Sequence, residues 1–149
     1  VNLKDYSTAS GYSGTNTPAK SIDASDSTYW ESNTTTNTWL QIDLGGSFAV
    51  TGIILTESVQ RITSFKIQYY NGSSWVDIVS DGTIGTTAVA YIFDQTIRAQ
   101  LFRLLVATAS ANPRIDEFEI YYDDLTSFYY MSLNSKATNF GVRGYYEII

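Results

Sequence analysis

The 149-residue chain has no cysteine and no histidine, only two prolines and one methionine, and fewer basic than acidic side chains. Without cysteine it can form neither a disulfide nor a thiolate zinc site, and thiol redox chemistry is excluded. Without histidine it lacks the commonest general acid or base and the commonest transition-metal ligand. Serine or cysteine triads and zinc hydrolysis are therefore excluded. The chemistry that remains is that of carboxylates and of cations bound by oxygen.

The charge balance also limits the partners. Nine Lys and Arg residues against 15 Asp and Glu residues give a formal net charge of −6. This balance argues against nucleic-acid phosphates and anionic membranes as principal partners. No apolar run is long enough to span a bilayer. The chain begins at Val1 without a signal-like segment, so we expect a processed or excised part of a larger multidomain protein.

Strand-forming residues are abundant. The chain is 44% hydrophobic, 15% aromatic and only 16% charged, with 12 tyrosines, a composition typical of sheets. No window shows a helical period, whereas short alternating segments bounded by turn residues recur. The segments predicted as strands are 39–44, 50–55, 62–69, 75–79, 89–93, 101–106 and 118–121. Their number and spacing predict an all-β fold built as an antiparallel sandwich.

The pattern changes beyond Asp123-Asp124. Phe128–Met131 and Tyr145–Ile149 could form a hairpin, either docked on the sandwich or belonging to a following module. We therefore divide the chain into residues 1–124, the sandwich, and residues 125–149, a C-terminal extension predicted to be a docked hairpin.

The segment from Lys20 to Trp30 is rich in oxygen-bearing side chains. Asp23, Asp26 and Thr28 offer hard oxygens in a stretch too irregular to be a strand, and such oxygens at close spacing suit Ca²⁺. An EF-hand is excluded, because the required glycine and the final bidentate glutamate are both absent. The alternative is a solvated acidic loop with Asx and Ser/Thr turns, and the pattern alone favours it.

An ordered set of motifs adds further information. The motifs are Asp23-x-x-x-x-Thr28-Tyr29-Trp30, Trp39-Leu-Gln-Ile-Asp-Leu-Gly45, Arg61-Ile-x-x-Phe65, Trp75, Phe102-Arg103-Leu104 and Ile115-Asp-Glu-Phe-Glu-Ile120. In this order, over about residues 1–122, they resemble the coagulation factor V/VIII C-type (discoidin-like) domain, whose bacterial members include family 32 carbohydrate-binding modules. A closer likeness, to modules appended to bacterial family 29 α-L-fucosidases, lies in Glu57-x-x-Gln60-Arg61-Ile62, Asp81-Gly-Thr-Ile-Gly85 and Pro113-x-Ile115. It brings no catalytic residue with it.

The resemblance implies a jelly-roll β-sandwich of about eight strands with a calcium-clamped loop. The family's calcium site falls on Lys20, Asp23, Ser25, Thr28, Asp116 and Glu117. Lys20, Ser25 and Asp116 would contribute carbonyl oxygens, and the other three would contribute side chains. Many members have glycine where this chain has Ala24, which leaves the loop backbone open. We expect this calcium to be structural.

The resemblance also places a ligand site on loops at one end of the sandwich. Sugar recognition needs an aromatic ring face and planar polar groups. The candidates are Tyr12, Glu31, Asn33, Glu57, Gln60, Arg61 and Arg114. Tyr12 could equally be a lid over the core. Galactose-binding relatives use a histidine that this chain lacks, so no sugar specificity carries over.

The sequence thus predicts a non-catalytic, calcium-stabilised carbohydrate-binding module. It would be extracellular or on the cell surface, and it would target an appended enzyme or surface protein to glycans. An enzyme is not expected, because no second acid faces Asp116, Glu117 and Glu119 across a cleft. The alternative is a structural or protein-interaction module with the same fold. Phospholipid binding, as in the clotting-factor members, would need hydrophobic spikes above basic residues, and the acidic charge argues against it.

Overall fold

The computed structural model describes residues 6–122, and in this part of the chain the fold is all-β and antiparallel, as predicted. It has seven strands: β1 Ser7–Ala9, β2 Trp30–Glu31, β3 Thr36–Glu57, β4 Ile62–Tyr70, β5 Trp75–Asp81, β6 Val89–Ala109 and β7 Arg114–Tyr122. A single-turn 3-10 helix, Pro18–Ser21, lies between β1 and β2. No helix within residues 6–122 is long and apolar enough to cross a membrane. The hairpin predicted in residues 125–149 lies outside the described residues.

Strands β3 and β6 are long because each contributes to both layers of the sandwich. The first half of β3 pairs with the second half of β6, as in Trp39 with Leu105, and the second half of β3 pairs with the first half of β6, as in Ile53 with Tyr91. Register shifts after Asp43 mark the bend. The sequence predicts separate strands at 39–44 and 50–55, but Gly45 has a φ of 75° and β3 bends there instead of ending.

The two layers follow from these pairings. One layer contains β1, the first half of β3, the second half of β6, β4 and β5. The other contains β2, β7, the second half of β3 and the first half of β6. The strands predicted separately at 39–44 and 50–55, and at 89–93 and 101–106, are therefore parts of β3 and β6.

The core lies between the layers and is filled from both. Leu40 and Phe102 of the first layer and Ile53 of the second are fully buried. The rings of Phe65 and Tyr91 meet edge to face across the core, with 5.8 Å between their centroids. Trp30 is fully buried, whereas Trp39 is only partly buried.

Both ends of β3 and of β6 lie at one end of the sandwich, because each strand runs away from that end and returns. Thr36 pairs with Thr108, and Leu55 pairs with Val89. The connections that meet there are segments 10–17, 32–35, 58–61, 82–88 and 110–113. We call this the loop end. It carries most of the ligand residues predicted from the sequence.

Candidate ligand site and calcium loop

Strand β2 holds the centre of the loop end. It has only two residues, and it pairs Trp30 with Ile115 and Glu31 with Arg114 at the start of β7. Segment 10–17 runs along its other side: the Ser13 N–H donates to the Glu31 carbonyl at 2.8 Å, and the Glu31 N–H donates to the Asn16 carbonyl at 3.1 Å. Residues far apart in the sequence thus meet around Glu31.

Three of the predicted ligand residues form one polar cluster. Arg114 Nε donates to Glu31 Oε2, and Arg61 Nη1 lies 3.8 Å from the same oxygen. The side chains of Arg61, Arg114 and Glu31 are 22%, 27% and 12% exposed. Solvent therefore reaches this group, which we call the Arg–Glu cluster (Glu31, Arg61 and Arg114).

Two neighbours fix the arginines. The Arg114 guanidinium carbon lies 4.7 Å from the centroid of the Tyr29 ring, a cation–π contact. Arg61 Nη1 donates to the Asn112 carbonyl at 2.8 Å. Neither Tyr29 nor Asn112 was among the predicted site residues. No pattern in the sequence indicates these contacts, because the first depends on the pairing of β2 with β7 and the second on the pairing of β4 with β6.

Tyr12 lies on the segment beside β2 and is 50% exposed, so its ring is not a closed lid over the core. The Trp30 indole N–H donates to the Gly11 carbonyl at 3.1 Å and anchors this segment. The exposed Asn33 packs its amide against Gly11 so closely that an added methyl group would lie 2.3 Å from its Oδ1. Gln60 is exposed on segment 58–61. The loop end thus presents an open ring beside amide groups.

Glu57 does not belong to this open surface, contrary to the prediction. Its side chain is fully buried. Its Oε1 accepts the N–H groups of Arg61 at 3.0 Å and of Ile62 at 2.9 Å, and its Oε2 accepts the Gly85 N–H at 2.8 Å. A ligand on the loop end cannot reach this carboxylate. Its role is to fix the segment that carries Gln60 and Arg61.

The predicted calcium loop is folded around Asp23. The Ser25 N–H donates to Asp23 Oδ1 at 3.0 Å, and the Thr28 hydroxyl donates to Asp23 Oδ2 at 2.6 Å. Ala24 has a φ of 63°, in the left-handed region that glycine adopts without strain. The loop therefore turns through a left-handed residue at Ala24 without a glycine.

Asp116 and Glu117, also predicted as calcium ligands, lie on β7. The 3-10 helix that contains the predicted ligand Lys20 packs against this strand. Asp116 and Glu117 are buried, with 8% and 5% of their surface exposed. Within residues 6–122, Asp116 Oδ1 has no hydrogen-bond partner. Burial raises the pKa of Asp116, a hydrogen bond with Ser58 opposes the rise, and the charge of Asp26 adds to it.

These observations test whether calcium fits. A buried carboxylate oxygen without a partner is costly, and a cation would offset that cost. The predicted donors are carboxylate, hydroxyl and carbonyl oxygens, the set that calcium prefers. In the described part of the chain, no three Asp, Glu, His or Cys side chains are grouped so that they could hold a metal. The structure joins Asp23 to Ser25 and Thr28, and the six-residue calcium set as a whole stays a prediction. The donor chemistry nevertheless fits.

The fold and site define a two-layer antiparallel sandwich with a polar cluster and an open aromatic ring among the loops of one end. The sequence profile of the F5/8 type C domain matches residues 6–130, and the chain belongs to this family. A search of curated protein sequences found no match.

Several solved structures resemble the fold. The structure of SpGH29 matches with a TM-score of 0.69 and 21% identity over 83% of this chain, but this chain spans only 28% of that one. The family 32 module of NanJ from C. perfringens, in complex with galactose, matches with a TM-score of 0.70 and 19% identity, covering 80% of this chain and 96% of that chain. The family 32 module of AlyQ, in complex with 4,5-unsaturated mannuronic acid, matches with a TM-score of 0.67 and 25% identity, covering 78% and 94%.

Proposed function

We propose that the chain is a non-catalytic carbohydrate-binding module whose loop end binds glycans and so targets an appended enzyme or surface protein to them. The observation that carries this proposal is that the half-exposed Tyr12 ring lies on the segment that hydrogen-bonds to β2, the strand that contributes Glu31 to the Arg–Glu cluster. A pyranose needs an aromatic face for its C–H groups and planar polar groups for its hydroxyls. Membership of the F5/8 type C family and the resemblance to family 32 modules support the proposal.

The shape of the site suits weak binding to single sugars. Tyr12, Asn33 and Gln60 are exposed on three separate segments, so the loop end offers a surface that covers only part of a ligand. Affinity for one sugar is then low, and useful attachment comes from concentrating the linked protein on a polymer. Such polymers lie outside the cell, so the proposed location is extracellular or at the cell surface.

The proposed function includes a structural calcium. Asp23, Thr28 and Glu117 would hold it through their side chains, and Lys20, Ser25 and Asp116 through their carbonyl oxygens. The buried oxygen of Asp116 supports an added positive charge in this region. When bound, calcium supplies charge compensation and a link between the early loop and β7; it takes part in no reaction.

Calcium removal tests this part of the proposal. We expect a chelator to lower the melting temperature and Asp23→Ala to abolish that effect. The conservative control is Asp81→Asn, which changes the same charge on the exposed end of β5. An unchanged midpoint with chelator, together with no bound metal in native mass spectrometry, would exclude the calcium site.

A glycan array in the presence of calcium tests binding itself. We expect binding to at least one oligosaccharide, and a loss of at least tenfold for Tyr12→Ala and Arg114→Ala at unchanged melting temperature. Asp77→Asn is the matched control, because Asp77 lies on β5 and pairs with Lys66 there. If the folded chain binds no glycan, the alternative of a structural or protein-interaction module with the same fold is the better assignment.

A further inference from the structure

Two of the exposed apolar side chains lie at the loop end. Among residues 6–122, three large hydrophobic side chains are exposed: Tyr12 by 50%, Val59 by 43% and Ile92 by 63%. Tyr12 lies on segment 10–17 and Val59 on segment 58–61, whereas Ile92 lies in the first half of β6. A single exposed apolar residue is normal on a protein surface, but two of these three share the end that carries the Arg–Glu cluster.

Backbone hydrogen bonds place these two residues on opposite sides of the cluster. The segment that carries Tyr12 borders β2, because the Ser13 N–H donates to the Glu31 carbonyl at 2.8 Å. On its other side β2 pairs with β7, with Glu31 opposite Arg114. The segment that carries the exposed valine lies beyond β7, where the Ser58 N–H donates to the Arg114 carbonyl at 3.1 Å. The two apolar side chains therefore belong to the outer two of four adjacent lines of backbone.

This order sets the distance that a ligand has to cover. Neighbouring hydrogen-bonded lines of backbone lie about 4.8 Å apart, so three such spacings put the outer two lines about 14 Å apart. A pyranose is a six-membered ring of single bonds of about 1.5 Å, so with its exocyclic oxygens it measures about 6 Å across. One sugar is therefore too small to bridge the outer lines, whereas a chain of two or three linked sugars has a suitable length.

From this arrangement we infer that the loop end binds a run of at least two linked sugars of a glycan chain, and that Val59 forms a second apolar contact beside the one proposed for Tyr12. The inference rests on the proposed function and names the ligand class of the same site. Tyr12 holds one sugar, the Arg–Glu cluster between the two residues contacts hydroxyl groups, and Val59 packs against the C–H groups of a further sugar.

Segment 58–61 holds Val59 in place before a ligand arrives. Its first residue is hydrogen-bonded to β7, and at its other end the Arg61 N–H donates to the buried carboxylate of Glu57 at 3.0 Å. The Arg61 carbonyl accepts the Ser110 N–H at 2.8 Å. A short segment that is fixed at both ends loses little conformational freedom on binding, which favours affinity.

Insertion into a lipid surface is the other known use of exposed apolar residues beside arginines. The net charge of −6 opposes approach to anionic lipid. The cluster between Tyr12 and Val59 also contains the Glu31 carboxylate. Sugar hydroxyl groups can accept from the arginines and donate to this carboxylate, so the cluster suits a sugar chain better than an anionic headgroup.

Binding as a function of chain length tests the inference. The probes are mono- to tetrasaccharides of galactan, mannan, chitosan and mannuronan, titrated in calcium. For each series that binds, we expect the trisaccharide to bind roughly tenfold or more tightly than the monosaccharide, because it buries a second apolar contact. Val59→Ala should lose roughly fivefold or more for the trisaccharide and leave the monosaccharide affinity unchanged. Tyr12→Ala should weaken both.

Ile92→Ala is the matched control. It truncates an exposed apolar side chain that pairs with Gly52 in the second layer, away from the loop end, and should change neither affinity. Melting temperatures establish that each variant is folded.

The possible failures are distinguishable. Equal affinity for the monosaccharide and the trisaccharide, or no specific loss for the trisaccharide with Val59→Ala, overturns the inference while carbohydrate binding stands. If no oligosaccharide of any series binds, the proposed function fails and the inference fails with it. Binding to phosphatidylserine vesicles instead, lost in both Tyr12→Ala and Val59→Ala, would assign the two residues to a membrane and overturn both.

Discussion

Replacing Glu57 should destabilise the sandwich severely, although no ligand can touch this residue. Its fully buried carboxylate accepts N–H groups from Arg61, Ile62 and Gly85 at 2.8–3.0 Å. Its own N–H donates to the Gly85 carbonyl at 2.9 Å. The end of β3, the start of β4 and the segment before β6 are thus joined through one side chain.

The expected loss of unfolding free energy follows from the N–H groups that the substitution leaves without an acceptor. Glu57→Ala would leave three N–H groups without their acceptor, at a cost of about 1–3 kcal/mol for each that stays buried. Because water can enter near the surface, we expect a net loss of about 3–5 kcal/mol, among the largest seen for single substitutions. Glu57→Gln keeps an oxygen for Arg61 and Ile62 but turns an NH₂ group toward the Gly85 N–H, so we expect about 1.5–3 kcal/mol.

Urea unfolding followed by tryptophan fluorescence measures these differences, with the slope against urea checked for constancy. The control is Asp77→Asn, which removes the exposed ion pair with Lys66 and should cost less than about 1 kcal/mol. A loss below about 1 kcal/mol for Glu57→Ala would refute the reasoning, because it would mean that water or other groups satisfy the three N–H donors at almost no cost.

Three further variants test backbone conformation and titration. Gly85→Ala should cost about 1–2 kcal/mol in urea unfolding, because φ is 91° and, among the described residues, no atom within 4 Å would clash with the methyl group. Ala24→Gly should leave the unfolding midpoint unchanged or slightly raised, because relief of the left-handed φ of 63° offsets the greater chain entropy of glycine; a clear loss would contradict that conformation. Burial, with two nearby acidic charges, raises the pKa of Tyr91 to about 12 from 10.0. The folded state holds this proton more tightly, so stability should be complete below pH 10 and fall as the pH rises toward 12. Tyr91→Phe should flatten the decline measured by urea unfolding at each pH; Tyr121, whose pKa burial also raises, would maintain part of it.

The strands could be predicted from the sequence because alternation reports which side of a strand is buried. Leu40 and Ile42 alternate with partly exposed neighbours, and so do Phe102 and Leu104. The continuity of β3 through Gly45 could not be predicted, because a glycine there permits either a turn that ends the strand or a bend within it. The choice depends on whether pairing with β6 continues on both sides of it. That pairing is a property of two distant segments.

Leu101–Val106 has apolar residues on both faces, a pattern typical of a strand covered on both sides. The strand is indeed central, between β3 and β4. Its outward face is covered by side chains of its own layer: Arg103 lies 4.1 Å from the centroid of the Trp75 ring and donates to Gln68 at 2.7 Å. Trp75 therefore packs on the outer face of this layer rather than in the core. Periodicity shows that a face is covered but not what covers it.

The sequence predicts which types of residue lie in the candidate site, but it does not predict the role of each residue. Charged loop residues such as Glu31 and Glu57 give the same signal in the sequence, yet one reaches the surface and the other is fully buried. What separates them is the backbone around each carboxylate. Glu57 ends β3 where the Arg61, Ile62 and Gly85 N–H groups converge on it. This convergence depends on tertiary structure, so it cannot be predicted from the local sequence.

The three motifs that resemble fucosidase-appended modules meet in this network. Arg61 of the first motif and Gly85 of the second donate their N–H groups to Glu57. The third motif begins at Pro113, and the carbonyl of the preceding residue, Asn112, accepts a hydrogen bond from Arg61 Nη1. The shared sequence thus builds a frame that sets the position of Arg61. This frame lies behind the loop-end surface, so it fixes the backbone that carries Arg61, whereas any contact with a ligand falls to exposed residues such as Tyr12.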